Sequence, residues 1–321
     1  MLIGRIAIFI FSESETNLSN HLDIHSAIGD KMDLLKLRKN LEVCLQNSIR
    51  DPNKGGVPIS WRATGSASGL PFELWTRDML RSCGCSAFLQ EEFLEYVVRE
   101  MRRRGYAPSK IKYIITEETW WGLGTYVISS NQLDAALKGS KIPTYQQSMA
   151  DIMLFYGNDI MQDLNDVILI NVKSHDIDRE SRDPNIISAK RVLEFFKDLL
   201  EKSIRFGSPQ LINKIALWFI GIYYKRHDEY SKIVEIYVKD FFKLDVTKIP
   251  VINFDAAIQI QWHIKNMIER EDIDKLSFIE SLVDEYLKRW QEFMKRRTVK
   301  IEETVKELKK LVNVLRNKTF Q

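Results

Sequence analysis

Apolar positions along this chain keep two rhythms: a helical period through most of it, and unbroken runs near its middle. From 33 to 50, Leu34, Leu35, Leu37, Leu41, Val43 and Cys44 recur at helical spacing and predict an amphipathic helix. The stretch Asp51-Pro-Asn-Lys-Gly-Gly-Val-Pro58 is dense in turn residues and reads as a loop. Pro71 suits the first turn of a helix continuing through Leu80. Residues 87–103 read as another helix, with Gly105 as its stop after Arg102-Arg-Arg104. Residues 110–140 look mostly helical but irregular around Trp120-Trp-Gly-Leu-Gly124.

The rhythm then changes. Asp151-Ile-Met-Leu-Phe-Tyr156 and Val167-Ile-Leu-Ile-Asn-Val-Lys173 are apolar on both faces, which predicts central strands covered on both sides. Gly157-Asn-Asp159 and Asn165-Asp166 supply turn chemistry between them. An apolar helix is expected from Ile186 to about Ile204. Two more strands are expected over 214–224 and 232–237, and a helix over 254–268. From Asp274 to Leu315, Phe278, Leu282, Tyr286, Trp290, Phe293, Ile301, Leu308, Val312 and Leu315 keep helical spacing, as one very long helix or two in series. No internal repeat or low-complexity linker interrupts the chain. The pattern reads as one α/β domain with a small sheet and a large helical envelope.

Composition narrows this only slightly. With 321 residues, 45% of them hydrophobic, the chain can build a proper core. Its 47 Lys+Arg against 44 Asp+Glu neither demand nor exclude nucleic acid, because a local basic channel can sit on a near-neutral protein. Of three cysteines, Cys83-Gly-Cys85 lacks the further ligands of a metal site, so Cys44, Cys83 and Cys85 are expected as reduced thiols in a cytoplasmic protein. No run reaches the roughly 18 apolar residues needed to span a bilayer. Met1–Phe11 superficially resembles a signal peptide, but it lacks a charged start and a small-residue cleavage site. Residues 1–31 are expected to be a peripheral extension, with Met32 as an alternative start.

The two apolar runs carry the chemistry. Side chains alternate along a strand, so Asn171 and Lys173 share a face. If the runs pair, Asp151, Asn171 and Lys173 converge at one edge. An acid and a lysine there suit metal-assisted phosphodiester cleavage, in which a divalent ion offsets phosphate charge and a lysine orients water. Acid, gap, acid-x-Lys is the pattern of the PD-(D/E)XK nucleases. Alone it is a weak signal, and here an amide stands at the second acid.

Flanking residues sharpen it. Ser181-Arg-Asp-Pro-Asn-Ile-Ile-Ser-Ala189 resembles the segment after the catalytic lysine in the HindII/HincII type II restriction endonucleases. Gly65-Ser-Ala-Ser-Gly-Leu-Pro-Phe-Glu73, Ile252-Asn-Phe-Asp-Ala-Ala-Ile-Gln-Ile-Gln-Trp-His263 and the long charged C-terminal helix are similar too, in the same order, from about Met32 onward. The resemblance implies a single endonuclease domain over 32–321, with its catalytic core at about 145–225. The implied fold is a restriction-endonuclease-like core with a small mixed central sheet. It places Asp151 on the first metal-binding aspartate, Lys173 on the catalytic lysine, and Asn171 where a second metal-binding aspartate is expected. Asp166, Asp176 or Asp178 are candidates to compensate for the missing charge. Asn185, Arg182 and Asn253 fall on DNA-contacting positions; Arg179 and Ser174 lie near enough to meet phosphates. Asn185 also suits the N-cap of the helix expected after it. Glu73 matches a helix glutamate of the family, either as support for the metal site or as a plain first-turn helix acid.

The resemblance implies a Mg²⁺-dependent homodimeric type II enzyme, with Mn²⁺ as an alternative ion. Asp151, Asn171 and the Val172 carbonyl would hold the metal. Double-stranded DNA with a short palindromic site is the implied substrate, and a cognate DNA methyltransferase the implied functional partner. The rival readings are a catalytically weakened DNA-binding relative and a non-enzymatic helical interaction protein.

Overall fold

The architecture follows from a computed structural model that describes residues 33–319 apart from 52–53, 59–68, 123–125, 146–147, 180–182, 206–209, 228–229 and 256–257. The expected extension 1–31, Ser181, Arg182 and residues 65–68 of the 65–73 block lie outside the described residues. The chain enters α1 (Leu34–Arg50), whose N-cap Asp33 accepts a hydrogen bond from the Leu35 N–H at 2.9 Å. Leu37, Leu41 and Leu45 form its buried face. Next comes β1 (Gly56–Pro58), inside the stretch expected to be loop: Val57 is buried and the segment pairs along a sheet edge.

α2 (Leu70–Ser82) starts with Pro71 in its first turn, as expected. The helix expected at 87 begins later. β2 (Ser86–Leu89) comes first, and α3 (Gln90–Arg103) starts where the Glu92 carboxylate accepts from the Leu89 N–H at 3.1 Å. Gly105, at φ +84°, turns the chain out of α3 in a conformation that side chains resist. α4 (Pro108–Tyr113) runs into a π turn (Ile114–Glu118), and α5 (Ser130–Lys138) carries a Ser129/Gln132 capping box. Trp120 and Trp121 are fully buried, and each indole N–H donates to a carbonyl, of Asn165 and Leu164 respectively.

β3 (Ile152–Phe155) and β4 (Val167–Asp176) pair antiparallel. Then the helix expected from Ile186 divides into β5 (Asn185–Ser188) and α6 (Ala189–Arg205). The Ser188 hydroxyl, not Asn185, accepts from the Arg191 N–H, at 3.5 Å, in the N-cap manner. α7 (Gln210–Lys214), β6 (Ala216–Arg226) and β7 (Tyr230–Asp240) follow. Where a helix was expected over 254–268, the described residues form β9 (Gln259–Gln261) and a 3-10 turn, preceded by β8 (Val251–Asn253). α8 (Lys275–Thr319) is one continuous helix of 45 residues.

The main sheet has the order β1-β7-β6-β4-β3-β2 and is mixed: β4 and β6 run parallel, the other pairs antiparallel. Ile168, Ile170 and Val172 face a layer built by α1 and α2, whereas Leu169 and Phe219 face the larger core with α3 and α6. Both faces of β3 and β4 are thus covered, and their run-like sequences follow from that. A second sheet, β5-β9-β8, was not foreseen. Among the described residues no helix is long and apolar enough to cross a membrane.

The expectation of three reduced thiols is overturned. Cys44 of α1 and Cys83 after α2 form a disulfide, and Cys85 is free. Burial explains why the pair was illegible: both cysteines sit within the α1–α2 layer, so the pairing depends on how two helices pack. Protein purified without reductant should expose one alkylatable thiol on unfolding. Reduction should destabilise it by about 3–4 kcal/mol, the scale for a closed loop of this length. Three reactive thiols in the unreduced sample would sink the assignment.

Candidate active site

Three hydrogen bonds fasten the segment before β3 onto β4. The Asp151 N–H donates to the Ile170 carbonyl at 2.9 Å. The Val172 N–H donates to Asp151 Oδ2 at 2.7 Å, and Asn171 Nδ2 donates to the Met149 carbonyl at 3.1 Å. β3 itself begins at Ile152, so an aspartate side chain continues the ladder where the backbone stops. This brings Asp151 beside Asn171 and Val172, with the half-buried Lys173 next on the strand. A strand residue directs its N–H and C=O to the same side, so the Val172 carbonyl also points to the Asp151 edge.

Asn171 is 4% exposed, and its Oδ1 has no hydrogen-bond partner. A buried carbonyl oxygen without a partner costs about 1–3 kcal/mol unless something else meets it. Among the described residues no three His, Cys, Asp or Glu side chains gather as a metal cluster. The oxygen donors at this edge are of a different mix: one carboxylate, one amide oxygen and one backbone carbonyl. That all-oxygen set fits a hard divalent cation of the Mg²⁺ type.

Glu73, on the first turn of α2, belongs to the same site by its electrostatics. Burial and the Asp151 carboxylate push its pKa up to about 7, against the pull of Lys173. Burial also holds the Asp151 carboxyl above its ordinary range, opposed by Lys173 and by the Val172 N–H. Glu91 on α3 adds to the negative field at Glu73, a contribution that no sequence pattern flagged.

Two of the expected compensating acids, Asp166 and Asp176, are engaged elsewhere. Asp166 meets Lys214 at 3.1 Å, at the far end of the β3–β4 pair. Asp176 meets Arg226 at 3.1 Å and Arg179 at 3.4 Å, and accepts the Asp178 N–H. Arg179 is exposed, and Ser174 is half-buried on β4. His175 packs edge-on against His263 and Tyr223, away from Asp151's own contacts. Asn185 and Asn253 lie on the second sheet, not at the β3–β4 edge. Asn253 Oδ1 accepts the Asp255 N–H at 3.0 Å, as a turn residue does. Arg104 grips Asp159 through both carboxylate oxygens, at 2.8 and 2.9 Å, so this basic helix end serves the fold. Sequence reasoning missed Gln261, which holds Asn185; its signal, a polar-apolar-polar alternation over Gln259-Ile-Gln261, was absorbed into an expected helix.

A family model described as restriction endonuclease HincII matches residues 47–312, which include every element from the end of α1 into α8. No curated protein matches the chain.

Two substitutions probe this geometry. A raised folded-state pKa means that the stability Glu73 allows is full below about 4.5 and is lost as pH rises through about 7. Metal-free Glu73→Gln should therefore melt a few degrees above the native protein at pH 8, with the gap closing below pH 4.5. An equal gap at both pH values would refute this. Asn171→Asp removes the donor to Met149 and sets two acceptors face to face. It should cost about 1–3 kcal/mol without metal and tighten divalent-ion binding, seen by calorimetry. Unchanged metal-free stability would show that the amide donor contributes nothing.

Proposed function

The chain belongs to the restriction endonuclease HincII family, and we propose that it is a Mg²⁺-dependent type II enzyme that hydrolyses both strands of DNA at a short palindromic site. The observation that carries this reading is the partnerless Asn171 oxygen beside Asp151 and ahead of Lys173. Asp151, Asn171 Oδ1 and the Val172 carbonyl would hold Mg²⁺, or Mn²⁺, which supplies charge neutralisation at the scissile phosphate and a more acidic bound water. Lys173 positions the attacking water and offsets charge developing on the phosphate. Glu73, which shares the electrostatic field of Asp151 and Lys173 from the first turn of α2, supports the metal site from the helix side.

Asn185, Arg182 and Asn253 contact DNA in this reading, with Arg179 and Ser174 near phosphates. A homodimer presents two such sites to the two strands, so a symmetric protein implies a symmetric target. A DNA methyltransferase of matching specificity protects the host. The weakened-relative reading rests on the missing charge at Asn171; against it, the amide keeps an oxygen ready while its nitrogen anchors Met149.

Plasmid DNA incubated with the purified protein and Mg²⁺, then Mn²⁺, should give discrete fragments. Lys173→Ala should lower cleavage by at least a hundredfold while leaving salt-sensitive DNA binding in place. Salt-sensitive binding with no cleavage by the native protein in either metal would favour the weakened relative.

A further inference from the structure

The three-stranded sheet turns one face inward and one outward. Ile187, Ile260 and Ile252 lie in register on the inner face and are buried in the main core. Opposite them, Asn185, Gln261 and Val251 form one outer row, and Ser188, Gln259 and Asn253 the next. Four of these six side chains are carboxamides, which carry a donor and an acceptor on one planar group. A register shift between Asn185 and Ile187 marks a bulge, a device that re-aims a side chain at a strand end. Beside this face lies a cleft of about 640 Å³, lined by Asn253 and Gln261 on the sheet side and by the mixed charges of Glu285, Lys288, Arg289, Glu292 and Arg296 of α8 opposite.

Within the first row, Gln261 Nε2 donates to Asn185 Oδ1 at 2.8 Å. The bond fixes both amides. Asn185 has its oxygen engaged, so its Nδ2 hydrogens are the group it offers outward. Gln261 has its nitrogen engaged and offers Oε1. One donor and one acceptor thus stand side by side on an exposed sheet face.

Resting on the nuclease reading, we propose that Gln261 is a specificity residue: it sets the orientation of Asn185, and the two amides together read one adenine in each half-site. Adenine's major-groove edge presents an acceptor, N7, beside a donor, the N6 amino group; guanine presents two acceptors. Asn185 Nδ2 matches N7 and Gln261 Oε1 matches N6. Guanine would leave Gln261 Oε1 facing another oxygen.

The test uses the full-length protein with Mg²⁺. End-sequencing the fragments made by the native protein defines the site, and kcat/KM is then measured on duplexes altered at each position in turn. Gln261→Leu keeps the strand filled but frees Asn185. It should lose roughly ten- to hundredfold discrimination at one A·T pair per half-site, with other positions and the melting temperature held. Gln261→Glu removes the donor, so Asn185 turns its nitrogen inward and offers oxygen instead. Preference should then shift away from adenine at that same pair. Unchanged discrimination in both variants, or an equal loss at every position, would overturn the proposal and leave the nuclease reading intact. A native protein that neither binds nor cuts DNA would overturn both.

Discussion

The hydrogen bond from the Val172 N–H to Asp151 Oδ2 holds the candidate site in place. Where β3 has run out, it lets a side chain stand in for the next ladder rung. The bond therefore couples a structural need, an edge N–H seeking an acceptor, to a chemical one, an acid fixed beside the strand that carries Lys173. The anchoring from Asn171 to Met149 works on the same short segment from the neighbouring residue. Together they tie residues 149–151 to β4 before the sheet's regular pairing begins. An aspartate at 171 would supply charge but could not donate to Met149 while ionised. The amide divides its labour: nitrogen for the fold, oxygen for the site.

That division explains the electrostatics around it. Asp151 and Glu73 both lie within the electrostatic reach of Lys173, and each carboxyl is held above its usual range. Burial is the larger cause in both, and the charge of the other acid is next at Glu73. Without a bound cation the surplus is relieved by protons. A divalent ion would relieve it better, because it answers the two acids and the partnerless amide oxygen at once. The missing second aspartate thus reads as a redistribution of charge toward Glu73, which approaches from a helix and not from the strand.

Legibility in the sequence followed burial. β3 and β4 lie under helices on both faces, so their buried residues are apolar apart from Asn171 and Asp176, and the runs announced themselves. Asp151, Asn171 and Lys173 were visible because strand alternation is rigid over three residues. Glu73 was suggested by resemblance alone; its proximity is tertiary. The small sheet was missed because its strands are three or four residues long and one face is polar amide. Over Ile252-Asn-Phe-Asp-Ala-Ala-Ile-Gln-Ile, such alternation is short enough to pass for helix. Ile186 and Ile187 sit at a bulge, which places adjacent isoleucines in the core and imitates a helical face. The Cys44–Cys83 bond escaped for a related reason: only the packing of α1 on α2 brings those residues together.

The short strands are tied to the main sheet, and the chain after β9 shows how. Trp262 donates its N–H to the Pro184 carbonyl at 3.0 Å, closing the small sheet onto the chain that enters β5. The Lys265 N–H donates to the Tyr223 hydroxyl at 3.1 Å, reaching β6 of the main sheet. Between these two anchors, Ile264 lies on Gly221 of β6, so close that any Cβ there would stand 2.8 Å from the isoleucine Cβ. Gly221 pairs with Lys173 across the parallel β4–β6 ladder. One glycine therefore lets the 3-10 turn after β9 settle on β6 beside the strand position that carries the lysine. A larger residue would push that turn, and the strand before it, off the main sheet. The turn that follows β9 thus packs on β6 at the register of Lys173, so the spacing of this contact bears directly on the strand position that carries the lysine.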